Sequence, residues 1–106
     1  MLRTVSLDSD ELRSIKLLGR RVRLTRLRRN LSQEQMAERA GVTRKTYSAL
    51  EAGAASTSVA LVVKVMSILG YPERIPALLE SDPIGEELEE FHGRKHAGGR
   101  SGVADF

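Results

Sequence analysis

Cysteine and tryptophan are absent from this 106-residue chain, and phenylalanine and tyrosine together supply only 4% of it. Without cysteine, a disulfide framework, a thiolate zinc site and a cysteine nucleophile are excluded by inventory. That inventory is compatible with a reducing compartment. Long apolar runs are missing too: none approaches the roughly 18 residues a membrane span requires. The first ten residues already contain Asp8 and Asp10, unlike a secretory leader. The expectation is a soluble, cytoplasmic protein with no membrane association. With so few rings, a core has to be assembled from Leu, Val, Ile, Met and Ala, which favours helices over a β-sandwich. The length and the 41% hydrophobic content support one modest core, and this argues against a large multidomain enzyme.

The net charge of +3 conceals a stronger asymmetry along the chain. Residues 1–30 hold nine basic and three acidic side chains, whereas residues 54–90 hold two basic and seven acidic ones. Six arginines, Arg20, Arg21, Arg23, Arg26, Arg28 and Arg29, fall within ten residues. Such a run is either a solvated helix face or a phosphate-binding footprint, and charge alone does not separate the two.

Helical signals follow one another with short punctuation between them. Asp8 or Ser9 can cap a first helix, with Asp10 and Glu11 at its positive end. Ile15, Leu18 and Val22 then recur as one apolar stripe. Gly19 interrupts that helix at a cost of about 1 kcal/mol relative to alanine. Leu17 and Leu24, with Leu27 nearby, fall on its opposite face, as isolated surface residues or as a partner surface. Ser32 followed by Gln35 is a capping box opening a short helix over 33–40, which ends at Gly41. Thr43 caps a further helix over 44–52, stopping near Gly53.

These two short helices, joined by a tight glycine turn, carry Met36, Ala37, Ala40, Val42, Tyr47 and Leu50 where steeply crossing helices need small or apolar contacts. Taken with Leu18-Gly19-Arg20-Arg21-Val22, Leu31-Ser32-Gln33-Glu34-Gln35-Met36-Ala37, Ala40-Gly41-Val42-Thr43 and Leu50-Glu51-Ala52-Gly53, the chain resembles the lambda-repressor and Cro-like (Xre-type) helix-turn-helix family over about residues 15–80. The resemblance implies an all-α, five-helix DNA-binding domain with a long N-terminal first helix. Ser58 then caps a fourth helix ending at Leu69-Gly70, with Leu61 or Val62, Val65 and Leu69 inward. Pro72 and Pro76 bracket a short fifth helix over 73–80, with Ile75, Leu78 and Leu79 closing the bundle. The chain departs from the family pattern at Thr25, Tyr47 and Thr57, and at Ala52, where an asparagine is common and one phosphate contact is put in doubt.

By the same resemblance, the recognition helix over 43–52 presents Arg44, Lys45 and Ser48 to base edges in the major groove, and Ala49 to a thymine methyl. Gln33, Thr43, Thr46 and Arg23 are the expected backbone contacts. Arg26 and Glu51 match positions that form a buried structural ion pair in several relatives. Glu51 is therefore not assigned to DNA.

Residues 81–106 fall outside the resemblance, so the expected division is a helix-turn-helix domain over 1–80 followed by an acidic segment and a glycine-rich basic tail. Asp82-Pro83 and Gly85 read as a loop, and Glu86-Glu87-Leu88-Glu89-Glu90-Phe91 as two helical turns with Leu88 and Phe91 on one side. After Gly93 the composition is that of a flexible tail, and Val103-Ala104-Asp105-Phe106 is either an unstructured end or a docking peptide. Glu89, His92 and His96 have the spacing of a metal site, but the glycines around them make the helix poor, and surface histidines are the preferred reading. No nucleophile motif, phosphate loop or nucleotide-binding glycine pattern is present, so neither catalytic residues nor a cofactor are expected.

Three functions follow as expectations. One is a transcriptional repressor binding a palindromic operator as a homodimer. Another is a HipB-like antitoxin that represses its own operon and also holds a toxin protein. The third is a protein-interaction module that has lost DNA binding.

Overall fold

A computed structural model describes residues 5–92. Among these residues there are five α-helices and no strand: α1 (Ser9–Leu27), α2 (Gln33–Ala40), α3 (Arg44–Glu51), α4 (Val59–Leu69) and α5 (Pro83–His92). The chain separates into two compact units, one ending at Ile75 and the other beginning at Pro76.

Local chemistry sets most of the helix ends in the first unit. Asp8 accepts the Glu11 N–H at 2.8 Å while the Glu11 carboxylate accepts the Asp8 N–H at 3.0 Å, a reciprocal box that removes two orphan donors. Ser32 and Gln35 do the same at the start of α2. Thr43 and Ser58 accept from Thr46 N–H and Leu61 N–H. Gly41 and Gly70 end α2 and α4 in the left-handed region, at φ 75° and 100°.

The core of this unit is Val22, Met36, Ala37, Tyr47, Leu50, Leu61, Val65 and Leu69. Leu18, Leu31, Ala40, Val42, Val62, Ile68 and Tyr71 pack partly buried against it. These residues come from α1, α2, α3, α4 and their turns, so the short α2 and α3 are held by tertiary burial rather than by their own length. Gly19 has a specific place in this packing. A Cβ built there would come within 2.7 Å of the Leu50 carbonyl oxygen and overlap the Glu51 carbonyl as well. The glycine that weakens α1 as an isolated helix is what lets it touch the C-terminal end of α3.

The fifth helix is not where the proline spacing placed it. Residues 73–80 form successive turns, with Arg74 N–H on Tyr71 O at 3.2 Å and Glu80 N–H on Ala77 O at 3.1 Å. Pro76 would sit inside a helix over 73–80, where its ring clashes with the carbonyl four residues back and biases Ile75 away from helical geometry. Leu79 adopts φ +66°, which ends any regular continuation. Ile75 is half-buried, but Leu78 and Leu79 are exposed rather than core residues. The fifth helix forms instead over Pro83–His92, where the two turns expected over 86–91 are helical and residues 83–85, read as part of a loop, supply the first turn. Pro83 stands at its first position, where its missing N–H costs nothing, and Asp82 accepts the Gly85 N–H at 2.9 Å. Leu88 and Phe91 lie on this helix, with Ile84 one turn before Leu88. The glycine-rich tail, His96 and the segment Val103-Ala104-Asp105-Phe106 lie outside the described residues. No helix among the described residues is long and apolar enough to cross a membrane.

Candidate nucleic-acid interface

α2, the turn at Gly41 and α3 form the unit that positions the expected site residues. The Val42 N–H reaches back to Ala37 O at 3.0 Å, closing the turn. Thr43 then both caps α3 and donates its hydroxyl to Thr46 Oγ1 at 3.0 Å. α3 is divided cleanly in two. Tyr47, Leu50 and Glu51 are buried. Arg44, Lys45, Thr43 and Thr46 are exposed, and Ser48 and Ala49 are half-buried along the outward face.

The inward face is fixed by a polar cluster centred on Glu51. Arg26 Nε donates to Glu51 Oε2 at 2.6 Å and Arg26 Nη2 to Oε1 at 3.0 Å, a two-pronged ion pair with Arg26 6% and Glu51 8% exposed. Tyr47 donates its phenol proton to Glu51 Oε2 at 2.5 Å, and Gln33 donates through Nε2 to Oε1 at 3.0 Å. The remaining reach of Arg26 goes to the Leu31 carbonyl at 2.7 Å. Burial alone pushes the Glu51 carboxyl up, but the hydrogen bonds from Arg26, Tyr47 and Gln33 outweigh it and hold the group below the usual carboxylate range. The Tyr47 phenol is pushed up, first by burial and then by its bond to the anionic Glu51. The Arg26 guanidinium is raised, chiefly by its hydrogen bond to Glu51. Tyr47, bulkier than the aliphatic residue common in the family, is the residue whose hydroxyl reaches that carboxylate.

The expected site residues do not all stand alike. Gln33 is half-buried, and one of its amide protons is committed to Glu51, so it is oriented from inside the protein. Arg23 is exposed on α1, one turn from both Gly19 and Arg26 and therefore beside the face that meets α3. Lys16 belongs beside it. A Cβ at Gly53 would lie 2.7 Å from the Lys16 Cα, which places Lys16 against the C-terminal end of α3.

A groove of about 530 Å³ was not anticipated from the sequence; it is lined by Lys45, Thr46, Ala49, Ser56, Thr57, Ser58 and Leu61. It joins α3 to the N-terminal end of α4. Within it the buried Thr57 hydroxyl has no hydrogen-bond partner among the described residues. The consecutive hydroxyls Ser56, Thr57 and Ser58 are the available signal, of which the sequence reading takes Ser58 as a cap and Thr57 as a departure from the family pattern.

Searches against curated proteins and against solved structures return no significant match. A family model described as helix-turn-helix matches residues 22–75, just over half of the chain, from the middle of α1 through Ile75. That span contains the whole α2–turn–α3 unit and the Glu51 cluster. The chain belongs to the lambda-repressor-like (Xre-type) helix-turn-helix family of DNA-binding regulators.

Proposed function

We propose that the protein is a sequence-specific transcriptional repressor that binds a palindromic operator as a homodimer in the cytoplasm. The observation that carries this reading is the division of α3, with one face locked by Arg26, Tyr47 and Glu51 and the other presenting Arg44, Lys45, Ser48 and Ala49. A helix held from behind in this way can enter the major groove without rearranging. Arg44 and Lys45 have the donors for guanine O6 and N7, and Ala49 offers a methyl for thymine. Thr43, Thr46 and Gln33 serve the phosphates on one flank, with Arg23 on α1. Ser56 and Ser58, exposed at the end of the hydroxyl groove, supply a second flank, where the positive end of α4 favours an anion. The working division is a DNA-binding domain over 1–80 and an accessory segment over 81–106.

Arg44→Ala is expected to relax preference at one base-pair position by about 1–3 kcal/mol. Arg23→Ala is expected to weaken all sequences about equally and to flatten the salt dependence by about one charge. Fluorescence-anisotropy titrations against an operator and its single-base variants check both. An Arg44→Ala protein with unchanged base preference would overturn the recognition-helix assignment.

An antitoxin would share this DNA-binding surface and add a toxin-binding one. Co-purification of the product of the adjacent gene, with the operator affinity changed by its presence, is the test of that reading.

A further inference from the structure

α5 is an amphipathic helix whose apolar side faces solvent. Ile84, Leu88 and Phe91, at positions i, i+4 and i+7, are 73%, 53% and 79% exposed. Its remaining surface is acidic: it carries four glutamates, Glu86, Glu87, Glu89 and Glu90, and neither lysine nor arginine. Ten residues make a rod of about 15 Å.

The first unit holds a groove of opposite character. It has a volume of about 150 Å³ and is lined by Leu18, Arg21, Val22, Thr25, Met66, Leu69, Tyr71 and Arg74. A volume of that size accepts one aromatic ring. Arginines mark its rim. The Arg74 guanidinium lies 3.8 Å from the centre of the Tyr71 ring, which holds it in place. Arg29 approaches the same ring at 5.9 Å and is tied to Leu69 O at 2.9 Å. On α1 the half-exposed Leu17 and Leu24 stand one turn to either side of Arg21, extending the apolar surface beyond the groove.

We propose that the groove between α1 and α4 receives α5 of a second copy of the chain, reciprocally, and that this is how two recognition helices are brought to one operator. Phe91 enters the groove, with Leu88 and Ile84 along Leu17 and Leu24, while Glu87, which flanks the apolar stripe, meets the arginine rim at Arg21 and Arg74. The acidic helix and the arginine rim are complementary in charge, and their apolar parts are complementary in size, which selects this occupant. Leu18 and Thr25 lie on a different side of α1 from Gly19 and Arg26, so the docked helix leaves the recognition surface uncovered. The inference rests on the homodimer reading and names its surface.

Sedimentation equilibrium of the full chain without DNA, over a range of concentrations, tests it. The expected result is a dimer whose dissociation constant rises about 30-fold or more in Phe91→Asp and in Arg21→Glu/Arg74→Glu, as for interface anchors. A mixture of the two variants should regain dimers, because each mixed pair keeps one intact docking. These residues are exposed or at a rim, so the fold survives, which circular dichroism verifies. A wild-type chain that stays monomeric overturns the proposal, whether α5 folds onto its own chain or serves a different protein. A dimer that persists unchanged in both variants also overturns it, yet leaves a homodimeric repressor standing with another interface.

Discussion

Glu51→Ala is expected to lower the stability of the first unit by about 3–5 kcal/mol, because it strands the buried Arg26 guanidinium without its partner. Domains of this size are typically stable by about 5–15 kcal/mol, so the loss is a large fraction of the whole. Two further groups lose their acceptor at the same time, the Tyr47 hydroxyl and the Gln33 amide. Replacing both ionic partners, as in Arg26→Met/Glu51→Leu, should recover much of the loss, since a buried pair exchanged for apolar groups is often nearly neutral. Urea denaturation of the two variants beside the wild-type chain separates these outcomes. A single substitution costing less than 1 kcal/mol would mean that the cluster is not the anchor of α3. The Gln33 amide, released from Glu51, would also lose its orientation, so the surviving folded protein should bind operator more weakly.

The same cluster sets the pH limits of stability. Glu51 has a folded-state pKa below its unfolded value of about 4.3, so its contribution is complete above that pH. The contribution is lost as the pH falls below about 4.3 toward the lower folded-state value. Tyr47 is shifted upward from an unfolded value of about 10, so its contribution is complete below that pH and is lost as the pH rises through the higher folded-state value. Glu51→Gln should flatten the acid limb of a plot of urea midpoint against pH while leaving the neutral region level.

Gly19→Ala gives the second large effect, and its sign is diagnostic. Helix propensity alone predicts a gain of about 1 kcal/mol. The packing predicts a loss of about 1–3 kcal/mol, because the new methyl group meets the backbone carbonyls of Leu50 and Glu51 rather than a flexible side chain. Those carbonyls belong to the C-terminal end of α3, so α1 and α3 must separate to admit it. Thermal melting of the single variant decides between the two, and a raised melting temperature would refute the close approach.

Gly19 also shows what can and cannot be read from sequence. Caps were legible because they are local: Asp8, Ser32, Thr43 and Ser58 each find their partner three residues on. The inward stripes of α1 and α4 were legible through their period, and the turn at Gly41 through its residue type. Gly19 was visible only as a weak point, because its reason lies in a helix more than thirty residues away. The groove at Ser56, Thr57 and Ser58 has the same origin, being formed where a loop meets α3. Gln33 was legible only as a phosphate-contact position implied by the resemblance, and its bond to Glu51, eighteen residues on, is a tertiary fact. The misplaced fifth helix has a different cause. Two prolines four residues apart were read as brackets, although the second has to sit within the helix it was meant to close.

The central claim is that the outward face of α3 reads base sequence. Selection from a pool of random duplexes, with the bound fraction titrated at two salt concentrations in the presence of unrelated competitor DNA, tests it most directly. The account predicts enrichment of an inverted repeat with half-sites about one helical turn apart, bound with an affinity that falls steeply as salt rises. Enrichment of no sequence, with binding abolished by competitor, would contradict it and leave α3 without a sequence to read.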